Sequence, residues 1–146
     1  MAEKPYASVL LVDDEEDFIA ALSKRLEARH LKVMAASSGQ DAIATVDRQE
    51  FDAIILDLAM PGMDGLETLK RIKQNHPEAE IIMLTGHGSI RTGIEAMKLG
   101  AEDFLEKPVD IHQLLEKIEE AKHKRVLILQ EKTKDEIRRI IHSKPW

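Results

Sequence analysis

Short apolar runs alternate with amphipathic segments along this chain, and this alternation constrains the fold more than any other feature. The apolar runs cover residues 8–12, 32–36, 53–56, 81–84 and 104–105. Most of them are too continuous in Val, Ile and Leu to have a solvent-facing side, which is typical of strands buried on both faces of a parallel sheet.

The segments between these runs carry apolar residues three and four positions apart. Residues 15–29, 39–48, 64–75 and 89–99 show this spacing, as in Leu66, Leu69 and Ile72, and it predicts amphipathic helices. Parallel strands need crossovers of this length. The sequence therefore predicts an α/β fold in which helices cover both faces of an open parallel sheet.

After Pro108 the chain is almost wholly helix-compatible. One apolar stripe lies between residues 111 and 118 and a second between 126 and 140, and residues 123–125 break the phase between them. We expect a last domain helix followed by an extra helical arm, either separate or continuous with it. The predicted organisation is one domain over residues 1–122 and a helical extension over 123–146.

Charge separates these two parts. Residues 1–120 hold 13 basic and 24 acidic side chains, whereas residues 121–146 hold 8 basic and 3 acidic ones. The acidic body would repel nucleic-acid phosphates, so no direct nucleic-acid partner is expected. The basic extension is best explained as a solvated helix, with helix association or kinase docking as the next alternatives and nucleic-acid binding as the least favoured one.

Composition excludes several classes of protein. The chain has 146 residues and no Cys, so it has room for one domain and cannot use disulfides or thiolate ligands. No apolar stretch reaches the ~20 residues of a membrane span. We expect a cytoplasmic protein with no membrane partner.

Polar residues follow four of the five predicted strands. Asp13 and Asp14 follow the first strand, Asp57 the third, Thr85 the fourth and Lys107 the fifth. Sites in such sheets form outside the carboxyl ends of the strands, so these side chains should converge. Taken singly, each has an ordinary explanation, such as helix capping by Asp13 or Asp14. Their convergence has none.

The expected cluster has a defined chemistry. Carboxylates held close together repel one another unless a cation neutralises them, and Mg²⁺ suits a few carboxylate oxygens plus water. Phosphoryl transfer needs a metal, positioning and cationic or hydroxyl donors. An aspartate can itself accept the phosphoryl group. The cluster therefore predicts Mg²⁺-dependent phosphoryl transfer.

These motifs resemble those of a response-regulator receiver domain, over about residues 6–121. The resemblance lies in Val12-Asp13-Asp14-Glu15, in the segment from Asp57 to Gly65, in Thr85-Gly86-His87-Gly88 and in Phe104-Leu105-Glu106-Lys107-Pro108. The last two are similar to receivers of the nitrogen-regulatory type. The resemblance implies a flavodoxin-like (βα)5 doubly wound parallel sheet with strand order 2-1-3-4-5.

The resemblance also implies a role for each site residue. Asp57 would accept a phosphoryl group from a sensor histidine kinase or a phosphotransfer protein. Asp14 and Asp57 would bind Mg²⁺ through their side chains, Asp13 through water and Ala59 through its backbone carbonyl. Lys107, whose bond to Pro108 is cis in the family, would hold a phosphoryl oxygen.

Two further residues would transmit the signal. Thr85 would turn to the phosphoryl group and Phe104 would fill the space that it leaves. The conformational change would regulate a downstream protein whose identity the sequence does not give. A homodimer would use either the face of residues 90–120 or the C-terminal helix.

Three interpretations of the whole chain stay open. The first is a stand-alone receiver that catalyses only its own phosphoryl acceptance and loss. The second is a receiver fragment of a transcriptional regulator. The third is a haloacid-dehalogenase-like Mg²⁺ phosphatase, but such enzymes need Asp-x-Asp after the first strand, whereas Asp13 and Asp14 are adjacent.

Overall fold

The computed structural model describes residues 5–58, 64–86 and 90–143. In these ranges strands and helices alternate along the chain. In order, they are β1 (Ala7–Val12), α1 (Glu16–Glu27), β2 (Leu31–Ala36), α2 (Gly39–Arg48), β3 (Ala53–Asp57), α3 (Gly65–Asn75), β4 (Ile81–Thr85), α4 (Ile90–Lys98), β5 (Asp103–Glu106) and α5 (Ile111–Ser143).

The strands of the described residues form a five-stranded sheet in the order β2-β1-β3-β4-β5. Every neighbouring pair is parallel. The predicted fold class and strand order are confirmed. The order reverses between β1 and β3, so a crevice opens at their carboxyl ends, where ligands bind in folds of this kind.

Alternate side chains of the strands bury against opposite helical layers. Leu10 and Ile54 belong to a cluster with α2, α3 and α4. Val9 and Ile55 belong to a second cluster with α1 and α5. Because β1, β3 and β4 are covered on both faces, their continuous apolar sequences are explained.

The predicted bounds differ from the observed ones mainly where a strand lies at an edge or a cap begins a helix. β2 is an edge strand, and Lys32 and Met34 are exposed, so the expectation that it is buried on both sides is wrong for this strand. α3 begins at Gly65 because Asp64 is its N-cap and accepts a hydrogen bond from the Glu67 N–H at 2.8 Å.

α5 is one continuous helix from Ile111 to Ser143. Its first half packs on the sheet through Leu114, Ile118 and Ala121, whereas every side chain from residue 130 to 141 is exposed. The phase break at residues 123–125 therefore marks the point where the buried stripe ends, without a break in the backbone. Among the described residues, no helix is long and apolar enough to cross a membrane.

Basic residues of α5 pair with acidic residues at the amino ends of the strands. Lys124 Nζ lies 2.7 Å from Glu102 Oε2 and 3.9 Å from Glu80 Oε2. Arg125 Nη2 lies 3.2 Å from Glu50 Oε2. These ion pairs hold the middle of α5 against the domain, because the acidic residues of the domain attract the basic residues of the helix.

Glu80 is the least exposed carboxylate of this group, at 2%. Burial and a hydrogen bond to Glu102 raise its pKa to about 7, although the charge of Lys124 opposes the shift. The folded state thus binds a proton more tightly than the unfolded state, so this group lowers stability progressively as pH rises from about 4.5 to about 7.

We predict that Glu80→Gln removes part of this pH dependence. The melting temperature of the variant, relative to wild type, should be higher at pH 8 than at pH 5. Glu116→Gln, at an exposed position of α5, is the control and should parallel wild type. Parallel curves for wild type and Glu80→Gln across this range would contradict the prediction.

Gly65 is required where α3 begins against the end of β3. A Cβ there would lie 2.5 Å from the backbone oxygen of Asp57 and 2.6 Å from Leu58 Cα. Neither backbone atom can move without displacing the strand end.

We predict that Gly65→Ala lowers the free energy of unfolding by about 2 kcal/mol, because overpacking of this kind typically costs 1–3 kcal/mol. The measurement is urea unfolding. Gly86→Ala is the matched control, since a Cβ there meets nothing within 4 Å, and its effect should stay within about 0.5 kcal/mol. Equal stabilities for the two variants would refute the argument.

Candidate functional site

The carboxyl ends of four strands bring the predicted site residues to one edge of the sheet. Asp13 directly follows β1, Asp57 ends β3, Thr85 ends β4 and Lys107 directly follows β5. The register pairs Asp57 with Leu84 and Thr85 with Glu106. The hydrogen-bonded ladder thereby fixes the spacing of these residues.

Three carboxylates lie together at this edge. Asp13 and Asp57 are 2% and 4% exposed, and Asp14 is exposed. One ligand atom from each of the three lies within 4.8 Å of the others. Two buried carboxylates and an exposed one form a set of hard oxygen donors open to water, which fits Mg²⁺.

Lys107 supplies a positive charge to the same cluster. Its Nζ lies 2.9 Å from Asp13 Oδ2 and 3.6 Å from Asp57 Oδ1. Burial lowers the pKa of Lys107, but the hydrogen bond to Asp13 and the charges of Asp57 and Asp13 outweigh this effect and hold the pKa above its ordinary value. The side chain is therefore an ammonium at neutral pH.

Thr85 connects this cluster to β5. Its hydroxyl donates a long hydrogen bond of 3.4 Å to the backbone oxygen of Leu105. Its backbone oxygen accepts a hydrogen bond of 2.8 Å from the Lys107 N–H. The hydroxyl is thus held weakly, while the backbone of the β5–α5 loop is held firmly beside it.

Phe104 of β5 lies against α4. Its side chain packs on the core cluster of α2, α3 and α4. A Cβ on Gly93 would lie 2.8 to 2.9 Å from three carbon atoms of the Phe104 ring. The ring therefore occupies space that only a glycine in α4 leaves open.

Asp13 has a second role within the chain. Its Oδ1 accepts a hydrogen bond of 2.9 Å from the Glu15 N–H, and Glu15, the N-cap residue of α1, makes no capping bond with its side chain. Asp13 thus shapes the turn into α1 while its other oxygen faces Lys107.

Ala59, predicted as a carbonyl ligand, lies outside the described residues. The Lys107–Pro108 peptide bond is cis, as the family resemblance implies.

Two contacts of the site were not predictable from the motifs alone. The Phe18 ring on α1 lies with its centroid 4.4 Å from Lys107 Nζ, and Gly93 adjoins the Phe104 ring. A glycine inside an amphipathic helical pattern was a signal for the second contact. The first joins residues far apart in sequence and left no local signal.

Comparisons with known proteins identify the family of this chain. The family model of the response regulator receiver domain matches residues 9–119. The transcriptional regulatory protein ZraR of Salmonella typhimurium is 40% identical over 113 residues, which are 77% of this chain and 26% of ZraR. The C4-dicarboxylate transport transcriptional regulatory protein DctD of Rhizobium meliloti is 33% identical over 126 residues, covering 86% of this chain and 27% of DctD.

Solved structures give the same result. A receiver domain protein from Clostridium thermocellum matches with a TM-score of 0.78 and 35% identity, covering 84% of this chain and 98% of the other. NtrX from Brucella abortus, in complex with ATP, matches with a TM-score of 0.80 and 32% identity, covering 86% of this chain and 29% of NtrX.

The chain spans about a quarter of the length of the curated relatives that it matches. The residues that the family model matches, 9–119, include the acidic site. On the match to the family model, the strand order and these relatives, the chain belongs to the response regulator receiver domain family.

Proposed function

We propose that this receiver accepts a phosphoryl group on the Asp57 carboxylate from a phosphohistidine of a sensor histidine kinase or a phosphotransfer protein. The observation that carries the proposal is the position of the Lys107 ammonium, 2.9 Å from Asp13 and 3.6 Å from Asp57. A buried carboxylate beside a cation and further acidic ligands is the arrangement that phosphoryl transfer requires.

Asp57 is the nucleophile in this proposal. One of its carboxylate oxygens attacks the phosphorus, and the bond between phosphorus and the donor histidine breaks. Asp57 is the last residue of β3, so the sheet holds its backbone in place and thereby positions its side chain. Its low exposure of 4% removes competing water, which strengthens the electrostatic interactions around it.

Asp14 and Asp57 would hold Mg²⁺ through their side chains, Asp13 through a water molecule and Ala59 through its carbonyl. When bound there, Mg²⁺ would supply positive charge to neutralise the phosphoryl oxygens. Lys107 supports the same charge from the β5 side, as a flexible point charge that can move from Asp13 to a phosphoryl oxygen.

Thr85 and Phe104 form the proposed switch. The Thr85 hydroxyl donates only a 3.4 Å bond to the Leu105 oxygen, so it loses little by turning to a phosphoryl oxygen. Phe104, already packed against α4 at Gly93, would move toward the space that the threonine leaves. Phosphorylation would then shift an existing equilibrium through its different contacts with the two states.

The partners follow from this mechanism. The phosphodonor would act in the cytoplasm, and the output would be an unidentified protein that reads the surface around α4, β5 and the start of α5. The curated relatives are transcriptional regulators, but the acidic body of this chain argues against direct contact with nucleic acid. Catalysis would be limited to its own phosphoryl acceptance and loss.

We also propose that residues 1–122 form the receiver and that residues 123–146 form a basic helical extension. A homodimer would use one of two surfaces. One is the face of residues 90–120, where Ile94 and Met97 are exposed, and the other is the end of α5, where Ile137 and Ile140 are exposed.

Incubation with Mg²⁺ and acetyl phosphate tests the acceptor. We expect wild type to gain the mass of one phosphoryl group, labile to hydroxylamine, and Asp57→Ala to gain none. Asp52→Ala, which removes a carboxylate at the opposite end of β3, is the control and should gain the group. A phosphoryl group on Asp57→Ala would overturn the assignment.

Thermal melting tests the metal site. We predict that Mg²⁺ at a hundred times its dissociation constant stabilises wild type by about 2.7 kcal/mol, because it binds only the folded state. Asp14→Asn should abolish this gain, and in EDTA it should be at least as stable as wild type, since Asp14 is exposed and its charge no longer repels Asp13 and Asp57. Asp135→Asn, on the exposed end of α5, should respond like wild type. An undiminished gain in Asp14→Asn would contradict the ligand assignment.

A further inference from the structure

The Lys107 ammonium has a third neighbour besides the two carboxylates. The Phe18 ring lies with its centroid 4.4 Å from Lys107 Nζ. This distance is within the roughly 6 Å over which a cation is attracted to the face of an aromatic ring. Asp13, Asp57 and Phe18 therefore lie around one charge, and they come from the loop after β1, from β3 and from α1.

Phe18 is held in place independently of Lys107. It is half-buried and packs against the core cluster that α1 and α5 share. It lies in the first turn of α1, directly after the loop in which Asp13 accepts a hydrogen bond of 2.9 Å from the Glu15 N–H. The packing thus fixes the Phe18 ring beside the flexible Lys107 side chain.

A lysine at this position depends on neighbouring contacts to fix its charge more than an arginine would. A lysine ammonium ends a four-carbon chain with several rotamers and is strongly hydrated. Its side chain is 21% exposed, so water competes for it. Phe18 and Lys107 line the same open pocket together with Ala21 and Val109, where an ammonium could swing away from Asp57.

We propose that Phe18 is a positioning residue for phosphoryl transfer, because its ring keeps the Lys107 ammonium beside Asp57. This inference rests on the proposed function. The attraction of a ring is weakly directional, so it leaves Nζ free to exchange a carboxylate oxygen for a phosphoryl oxygen.

The test compares Phe18→Leu with Phe18→Tyr. Leu keeps the apolar packing without an aromatic face, and Tyr keeps the face. Ile19→Leu, at the next position of α1, is the control. Each variant is phosphorylated by acetyl phosphate at saturating Mg²⁺, since a small donor makes no use of a protein docking surface. Melting temperatures verify that all variants fold.

We expect Phe18→Leu to lower the maximal phosphorylation rate by about two- to fivefold, the range set by a cation–ring contact near the surface. The acetyl phosphate concentration that gives half the maximal rate should not change. Phe18→Tyr should restore the rate to within about twofold of wild type. Ile19→Leu should match wild type.

A spectroscopic measurement separates positioning from packing. The Cε protons of Lys107 should be shifted upfield by the ring current in wild type and Phe18→Tyr, and should return to ordinary values in Phe18→Leu. Equal rates in all variants, or a Phe18→Tyr protein as slow as Phe18→Leu, would overturn the inference while Asp57 still accepts phosphate. A wild type that gains no phosphoryl group would overturn the proposed function and this inference with it.

Discussion

Mutual repulsion among carboxylates is the constraint on which the rest of this structure depends. Asp13 and Asp57 are almost fully buried within reach of Asp14, and burial of charge without compensation is costly. The fold tolerates them because Lys107 is brought from β5 to within hydrogen-bonding distance of Asp13. A parallel sheet brings Lys107 and the carboxylates together directly, since its register places the carboxyl ends of the strands side by side.

At the amino ends of the strands, a second group of carboxylates is also neutralised by a lysine. Glu80 and Glu102 precede β4 and β5, and Lys124 of α5 lies against both. This lysine is part of α5, which also packs on the core, so the charge that neutralises these carboxylates is fixed in place. The domain therefore carries acidic clusters at both ends of its strands. One is open to water at Asp14, and the other is covered by a helix.

The alternation of apolar runs and amphipathic segments was enough to predict the elements, because parallel strands and their crossover helices each leave a strong periodic pattern. The convergence of Asp13, Asp57, Thr85 and Lys107 was predictable because strand ends are visible in the sequence. The exposure of β2 was missed because its apolar residues favour a buried run, although Lys32 and the implied strand order 2-1-3-4-5 both place it at an edge. Contacts such as Phe18 with Lys107 depend on tertiary packing between distant segments, and no local pattern encodes them.

The continuity of α5 has a geometric consequence. A helix of 33 residues is about 50 Å long at a rise of 1.5 Å per residue. It starts a few residues after Lys107 and continues past the residues that pack on the sheet as far as Ser143. Its first half is fixed to the body by the core contacts of Leu114, Ile118 and Ala121 and by the ion pairs of Lys124 and Arg125. The helix ends about 27 Å beyond Arg125, so a partner bound at its far end would be held at a distance from the acidic site that is set by the length of the helix.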